Sequence, residues 1–128
     1  MTKQTYTGIN IQYPISRLIS EGKKTIETRT YPIPEKYLGQ EMALIETPGK
    51  TGNFKARVIA IIKFTECFQY KTKKEFYANT ERHCVTPTSP WAWEGGEKWG
   101  WKVEIIKIIS RPVLVSNRGI QYRKNIHL

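Results

Sequence analysis

The chain has 128 residues, 21 Lys and Arg against 11 acidic residues, a formal net charge of +10, and 39% hydrophobic residues. That length buries a core without staples and is short for two ordinary domains, so residues 1–128 are read as a single domain. The charge points to a polyanionic partner such as nucleic acid. All the acids are glutamate, which leaves no aspartate for calcium loops, aspartic dyads or most two-metal nuclease centres. Cys67 and Cys84 form no Cys-x-x-Cys pair, and His83 and His127 add little to a zinc ligand set, so neither metal nor cofactor is expected. No run approaches the ~18 apolar residues of a membrane helix. The expectation is a soluble, cytoplasmic monomer with free thiols.

Residues 8–13, GINIQY, alternate Ile9 and Ile11 with polar partners and read as a first short strand that leaves Tyr13 at a helix entrance. Pro14 suits a first helical position, Ile15, Leu18 and Ile19 fall at helical spacing, and Gly22 supplies the left-handed residue that stops the helix. The series Thr25, Ile26, Thr28, Thr30 then reads as a strand, whose alternation puts Glu27 and Arg29 on one face with Lys24 at the preceding turn. A carboxylate beside a guanidinium and an ammonium stays ionised, while a crowded or desolvated lysine gives up its proton nearer neutrality. Lys24, Glu27 and Arg29 are therefore candidate ligand-binding residues, with Tyr13 at the rim, and Lys24 and Glu27 are the candidate catalytic pair if the protein is an enzyme. An ordinary surface salt bridge has the same spacing.

YPIPEKYLGQ is an irregular connection ending near Gly39, followed by the strand EMALIET. The turn at 48–53 joins it to the long strand FKARVIAIIKFTEC in an antiparallel hairpin. Strict alternation would place Phe54, Ala56, Val58, Ala60, Ile62 and Phe64 on one face as core. Thr72 and Glu75 match a capping box that starts a helix running to about Asn79.

All four tryptophans lie in WAWEGGEKWGW, residues 91–101, as two Trp-x-Trp pairs around Gly95 and Gly96. Exposed indoles stack on unpaired bases; buried ones fill a barrel end. Trp101 leads into KVEIIKII and reads as core, whereas Trp91 and Trp93 are candidate ligand contacts. After Glu104 no acid appears, and Arg111, Arg118, Arg123 and Lys124 are interleaved with strand-like backbone. These four are the candidate nucleic-acid contacts; the same pattern protects a sheet edge from aggregation. His83, a single histidine in a loop, reads as structural rather than catalytic.

Gly22, Lys24, Glu27 and Arg29 fill the pattern Gly-x-Lys-x-x-Glu-x-Arg after a short helix, and here the sequence resembles the ASCH (activating signal cointegrator homology) domain family. The resemblance extends upstream through IQYPISRLISEGKK and downstream to the strands and Arg118-Gly119-Ile120. It implies an α+β, mainly β fold, a PUA-like small β-barrel flanked by short helices, in agreement with the many short strands read above. It implies binding of RNA, single-stranded nucleic acid or a nucleotide or modified nucleobase, with the pocket at the motif. Some members resemble metal-independent hydrolases, either ribonucleases or amidohydrolases that deacylate cytidine with a lysine, a threonine and a distant glutamate. Lys24 matches that lysine, and Glu27 occupies the position of the threonine.

Overall fold

The structure, a computed structural model, describes residues 4–116 and 119–128. In chain order the elements are β1 (Thr5–Gln12), α1 (Ile15–Ser20), β2 (Ile26–Arg29), β3 (Glu41–Thr47), β4 (Arg57–Tyr70), α2 (Lys73–Ala78), α3 (Thr80–His83), β5 (Lys98–Leu114) and β6 (Tyr122–His127), with a 3₁₀ turn at Glu35–Tyr37. The strands form one mixed sheet in the order β2-β5-β4-β3-β1-β6, in which β1 and β3 are parallel and the other pairs antiparallel.

The architecture is mainly β with short helices, and backbone pairing does not close the sheet into a ring. The two ends of the sheet are instead brought face to face and joined by side chains. Arg29 of β2 donates to the Asn10 carbonyl of β1 at 3.4 Å, and the Tyr31 hydroxyl donates to Gln121 at 2.7 Å, just before β6. The sheet thus has an open seam, and the candidate pocket lies at it.

The curl comes from the long β4–β5 ribbon, whose register shifts between Val58 and Ala60, Ile61 and Ile62, and Phe64 and Glu66. Each irregularity bends the strand and resets which face a side chain takes. Strict alternation along β4 therefore fails. Ile59, Ala60, Ile62 and Phe64 join Ile9, Ile19, Met42, Leu44 and Trp101 in one core, while Val58 and Ile61 pack with Ala43, Ile45 and Ile126 in a second. A third cluster, Tyr70, Phe76 and Val85, seats α2. The Thr72 hydroxyl caps α2 by accepting from the Glu75 amide at 3.1 Å, as the capping pattern requires.

Pro14 caps α1 rather than opening its first turn. The helix is docked by Glu46 of β3, which is fully buried and accepts from Ser16 at 2.7 Å, from Arg17 at 2.9 Å and from Arg57 at 3.0 Å. At its other end Gly22 takes φ +77°, a conformation that costs glycine nothing, and reverses the chain toward β2.

Candidate ligand pocket at the barrel seam

The turn after α1 is fixed by backbone bonds. The amides of Lys23 and Lys24 both donate to the Leu18 carbonyl at 2.9 Å, and the Thr25 amide donates to Arg82 at 2.8 Å. The Lys24 side chain is thereby turned inward, 2% exposed, with its ammonium donating to the His83 carbonyl and standing 3.7 Å from Glu27 Oε1. Glu27 Oε2 accepts from Arg29 Nη2 at 3.2 Å, and Arg29 Nη1 donates to the Tyr31 hydroxyl at 3.1 Å. The guanidinium lies 5.4 Å from the centre of the buried Trp101 ring, whose indole N–H donates to the Tyr31 carbonyl at 3.1 Å. One carboxylate thus holds two cations, and an aromatic floor holds the second.

These groups open onto a pocket of about 520 Å³ between β2 and the β1–β6 end of the sheet. Its walls include Asn10 and Gln121 on one side, Lys24, Glu27 and Arg29 on the other, and Trp91 and Lys98 at the end reached by the loop before β5. Asn10 Nδ2 donates to the carbonyls of Gly119 and Ile120, and Asn10 Oδ1 accepts from Arg123 Nε at 3.0 Å, so the far wall is tied together as well.

Burial lowers the pKa of Lys24 below its ordinary value; the Glu27 carboxylate opposes that shift without cancelling it. Lys98 is lowered too, by burial first and then by the Lys24 charge. Burial works against the Arg29 charge, but Glu27 and Tyr31 outweigh it and hold Arg29 above its ordinary value. The wall therefore offers a permanent cation, a carboxylate and two ammonium groups that release protons more readily than a solvated lysine. Among the described residues no cluster of three or more His, Cys, Asp or Glu side chains is placed to hold a metal ion.

Of the residues singled out in the sequence, Lys24, Glu27, Arg29, Trp91 and Arg123 line this pocket. Tyr13 does not. Its amide donates to the Thr47 carbonyl at 2.8 Å, which carries the ring to the β3–β4 side, edge-on to Phe54 at 5.6 Å in a separate depression with Arg17 and Arg57. Trp93 is also absent: its ring packs edge-on to Phe76 at 5.8 Å and its indole N–H donates to Gly96 at 3.1 Å, so it seals α2. Arg111 lies exposed on the far part of β5, Lys124 is exposed on β6 outside the lining, and Arg118 falls outside the described residues.

His83 is fully buried, stacked on Phe76 at 4.1 Å. Its Nδ1 accepts from the Val85 amide at 3.0 Å, so Nε2 carries the proton toward the Phe76 carbonyl at 2.6 Å and the ring is neutral. Burial lowers its pKa, and the Lys24 and Lys98 charges add to that effect. Both thiols are free.

Asn10, Tyr31, Lys98 and Gln121 belong to the pocket without having been singled out. Tyr31 follows Arg29 by two residues, and Lys98 is the lone cation among the four tryptophans. Those are the signals that mark them.

A mixed, curled sheet with an open seam, a helix stopped at a glycine and a buried Lys-Glu-Arg cluster at the next strand make up the fold and its pocket. Solved ASCH structures share this fold. A crystal structure of ASCH from Zymomonas mobilis superposes with a TM-score of 0.62 at 21% identity, over 85% of this chain and 73% of that one. Two mutants of the same protein, a tyrosine-to-phenylalanine and a serine-to-alanine form, give TM-scores of 0.65 and 0.56 at 20% and 18% identity. They cover 85% and 83% of this chain and 75% and 69% of theirs. At that identity the likeness establishes the fold. No family model and no curated protein sequence matches the chain.

Proposed function

We propose that this chain is an ASCH-family binding module whose seam pocket takes a nucleobase or nucleotide, free or within single-stranded RNA. The observation that carries the reading is the meeting of Lys24, Glu27, Arg29 and Trp91 in one pocket of about 520 Å³, a volume suited to a ligand of nucleotide size. Glu27 offers an acceptor to an exocyclic amine, Arg29 offers a charged N–H donor to a base carbonyl, and Trp91, 48% exposed, offers a stacking face. Arg123 at the pocket, with Arg111 and Lys124 exposed outside it, supplies the positive surface that draws a phosphate chain.

A second reading, a metal-independent hydrolase acting on RNA or on acylated cytidine, is favoured by one observation, the lowered pKa of Lys24. A lysine in that state exchanges a proton nearer neutral pH, and Arg29 beside it stabilises charge developing on a carbonyl or phosphoryl oxygen. Incubating the protein with single-stranded RNA and with acylated cytidine, without metal, separates the two. Affinity without product supports the binding module, and product lost in Lys24→Met supports the hydrolase.

A further inference from the structure

Lys98 opens β5 on the wall of the same pocket and is 7% exposed. Its ammonium donates to the Trp91 main-chain carbonyl at 3.2 Å and lies 5.5 Å from the centre of the Phe76 ring. No carboxylate among the described residues forms an ion pair with it. The ion pairs among those residues join Lys24 and Arg29 to Glu27, Arg17 and Arg57 to Glu46, and Lys23 to Glu21.

Among the described residues the pocket lining thus sets Lys24, Arg29 and Lys98 against one carboxylate, Glu27, already shared by Lys24 and Arg29. Taking an ammonium out of water is costly and is offset by opposite charge and hydrogen bonds. Lys98 has one carbonyl and one ring face, and the Lys24 charge acts against its own. A pocket built this way is short of negative charge. A neutral base supplies none.

We propose that Lys98, with Lys24, forms a phosphate subsite inside the pocket, so that the ligand is a phosphorylated nucleotide, free or at the end of an RNA strand, rather than a neutral nucleoside. The proposal rests on the nucleotide-binding reading above. An ammonium has three donors, and Lys98 commits one to Trp91, leaving two for phosphate oxygens in short charge-assisted bonds. The bond to the Trp91 carbonyl also sets the subsite next to the indole that stacks on the base. Trp91 in the loop before β5 then stacks on the base while Lys98, which opens β5, holds the phosphate beside it, and the exposed basic residues serve attraction rather than selection.

The test is titration calorimetry of the whole chain at low salt with cytidine, its 5′- and 3′-monophosphates, and a short RNA with and without a terminal phosphate. Each phosphorylated ligand should bind at least about tenfold tighter than its unphosphorylated counterpart, the effect of one bond to a charged group. Lys98→Met matches the side chain in length and removes a buried charge, so it should melt no lower than wild type. It should shrink that preference, read as the ratio of phosphorylated to unphosphorylated affinity within the one variant, to about twofold or less, whereas Lys107→Met, the same charge change at an exposed site on β5, should keep the preference.

Equal wild-type affinity for phosphorylated and unphosphorylated ligands overturns the subsite and leaves the nucleotide-binding reading intact; that comparison stands even if Lys98→Met fails to fold. A preference that survives in folded Lys98→Met overturns the role of Lys98. Binding of none of these ligands overturns both readings. A preference shown by the monophosphates assigns the site to free nucleotides, and one shown only by the RNA assigns it to strand ends; either outcome supports the subsite.

Discussion

Lys24 and Glu27 face each other at 3.7 Å with side chains only 2% and 8% exposed, and Glu27 spends its other oxygen on Arg29 at 3.2 Å. Removing the shared carboxylate strands two cations. Glu27→Gln should therefore cost about 3–5 kcal/mol of stability, the range for breaking a buried pair from one side. Lys24→Met, which leaves Glu27 paired with Arg29, should cost much less. Urea unfolding of both variants checks this, and a Glu27→Gln protein as stable as wild type would show that the cluster is solvated.

A second carboxylate positions the element that delivers the motif. Glu46 is fully buried under α1 and accepts from Ser16, Arg17 and Arg57. Glu46→Ala should cost about 3–5 kcal/mol, while Ser16→Ala, which removes one of several bonds, should cost about 1 kcal/mol. Because α1 ends at the Gly22 turn that aims Lys24, Glu46→Ala should also weaken ligand binding although Glu46 is not part of the pocket lining. Unfolding and binding curves on the same samples measure both effects.

Acid should destabilise the fold in two stages. His83 is held below its ordinary 6.5, so the unfolded chain takes up that proton first and stability falls as pH drops through 6.5 toward the lowered folded value. Burial alone would raise the Glu46 carboxyl, but bonds from Ser16, Arg17 and Arg57 hold it below its ordinary 4.5; the stability it contributes is present above 4.5 and is lost as pH falls through the lowered value. Lys24 and Lys98, held below 10.5, act at the other end, where stability rises as pH climbs through their lowered folded values toward 10.5. In unfolding curves between about pH 7.5 and pH 5.5, His83→Asn should remove most of the slope even if its baseline stability is lower. A slope that survives would place the titration elsewhere.

The tryptophans divide by burial. Trp101 is fully buried against Phe64 at 5.4 Å and Tyr31 at 5.6 Å, so Trp101→Ala should cost about 3–5 kcal/mol of stability. Trp91 is half exposed at the pocket, so Trp91→Ala should leave stability within about 0.5 kcal/mol of wild type and reduce base binding by about 1–3 kcal/mol. Thermal melts paired with fluorescence titrations distinguish the two.

Much of this was legible in the residues themselves. Gly22 and the β-branched strand after it identify the turn and direct Glu27 and Arg29 together, and EMALIET is β3 from end to end. Alternation along β4 misassigned faces because bulges, which have no local sequence signature there, reset the period at three places. Tyr13 and Trp93 were misplaced for a related reason: proximity to a motif or to Trp91 in sequence says nothing of which way a connecting segment turns. Lys98 and Asn10 belong to the pocket through the meeting of segments more than eighty residues apart in sequence, which only the folded chain brings together.

Attraction and selection should separate in the salt dependence. Neutralising Arg111 or Lys124, both exposed outside the pocket lining, should lower the slope of log affinity against log salt by about 1 for each phosphate that the variant no longer neutralises. Lys24→Met should reduce affinity at every salt concentration, and by more than either tail change, because it removes a buried donor at the ligand itself.

The central claim, that the seam pocket is the ligand site, is tested most directly by titrating labelled single-stranded RNA at low salt into wild type, Lys24→Met and the paired tail variant Arg111→Gln, Lys124→Gln, both positions exposed and outside the pocket lining, each protein first shown to be folded. The account predicts binding by wild type, a loss of about tenfold or more in Lys24→Met, and a smaller loss in the tail variant that vanishes as salt is raised. Equal affinity of wild type and Lys24→Met, or no binding by wild type at low salt, would contradict it.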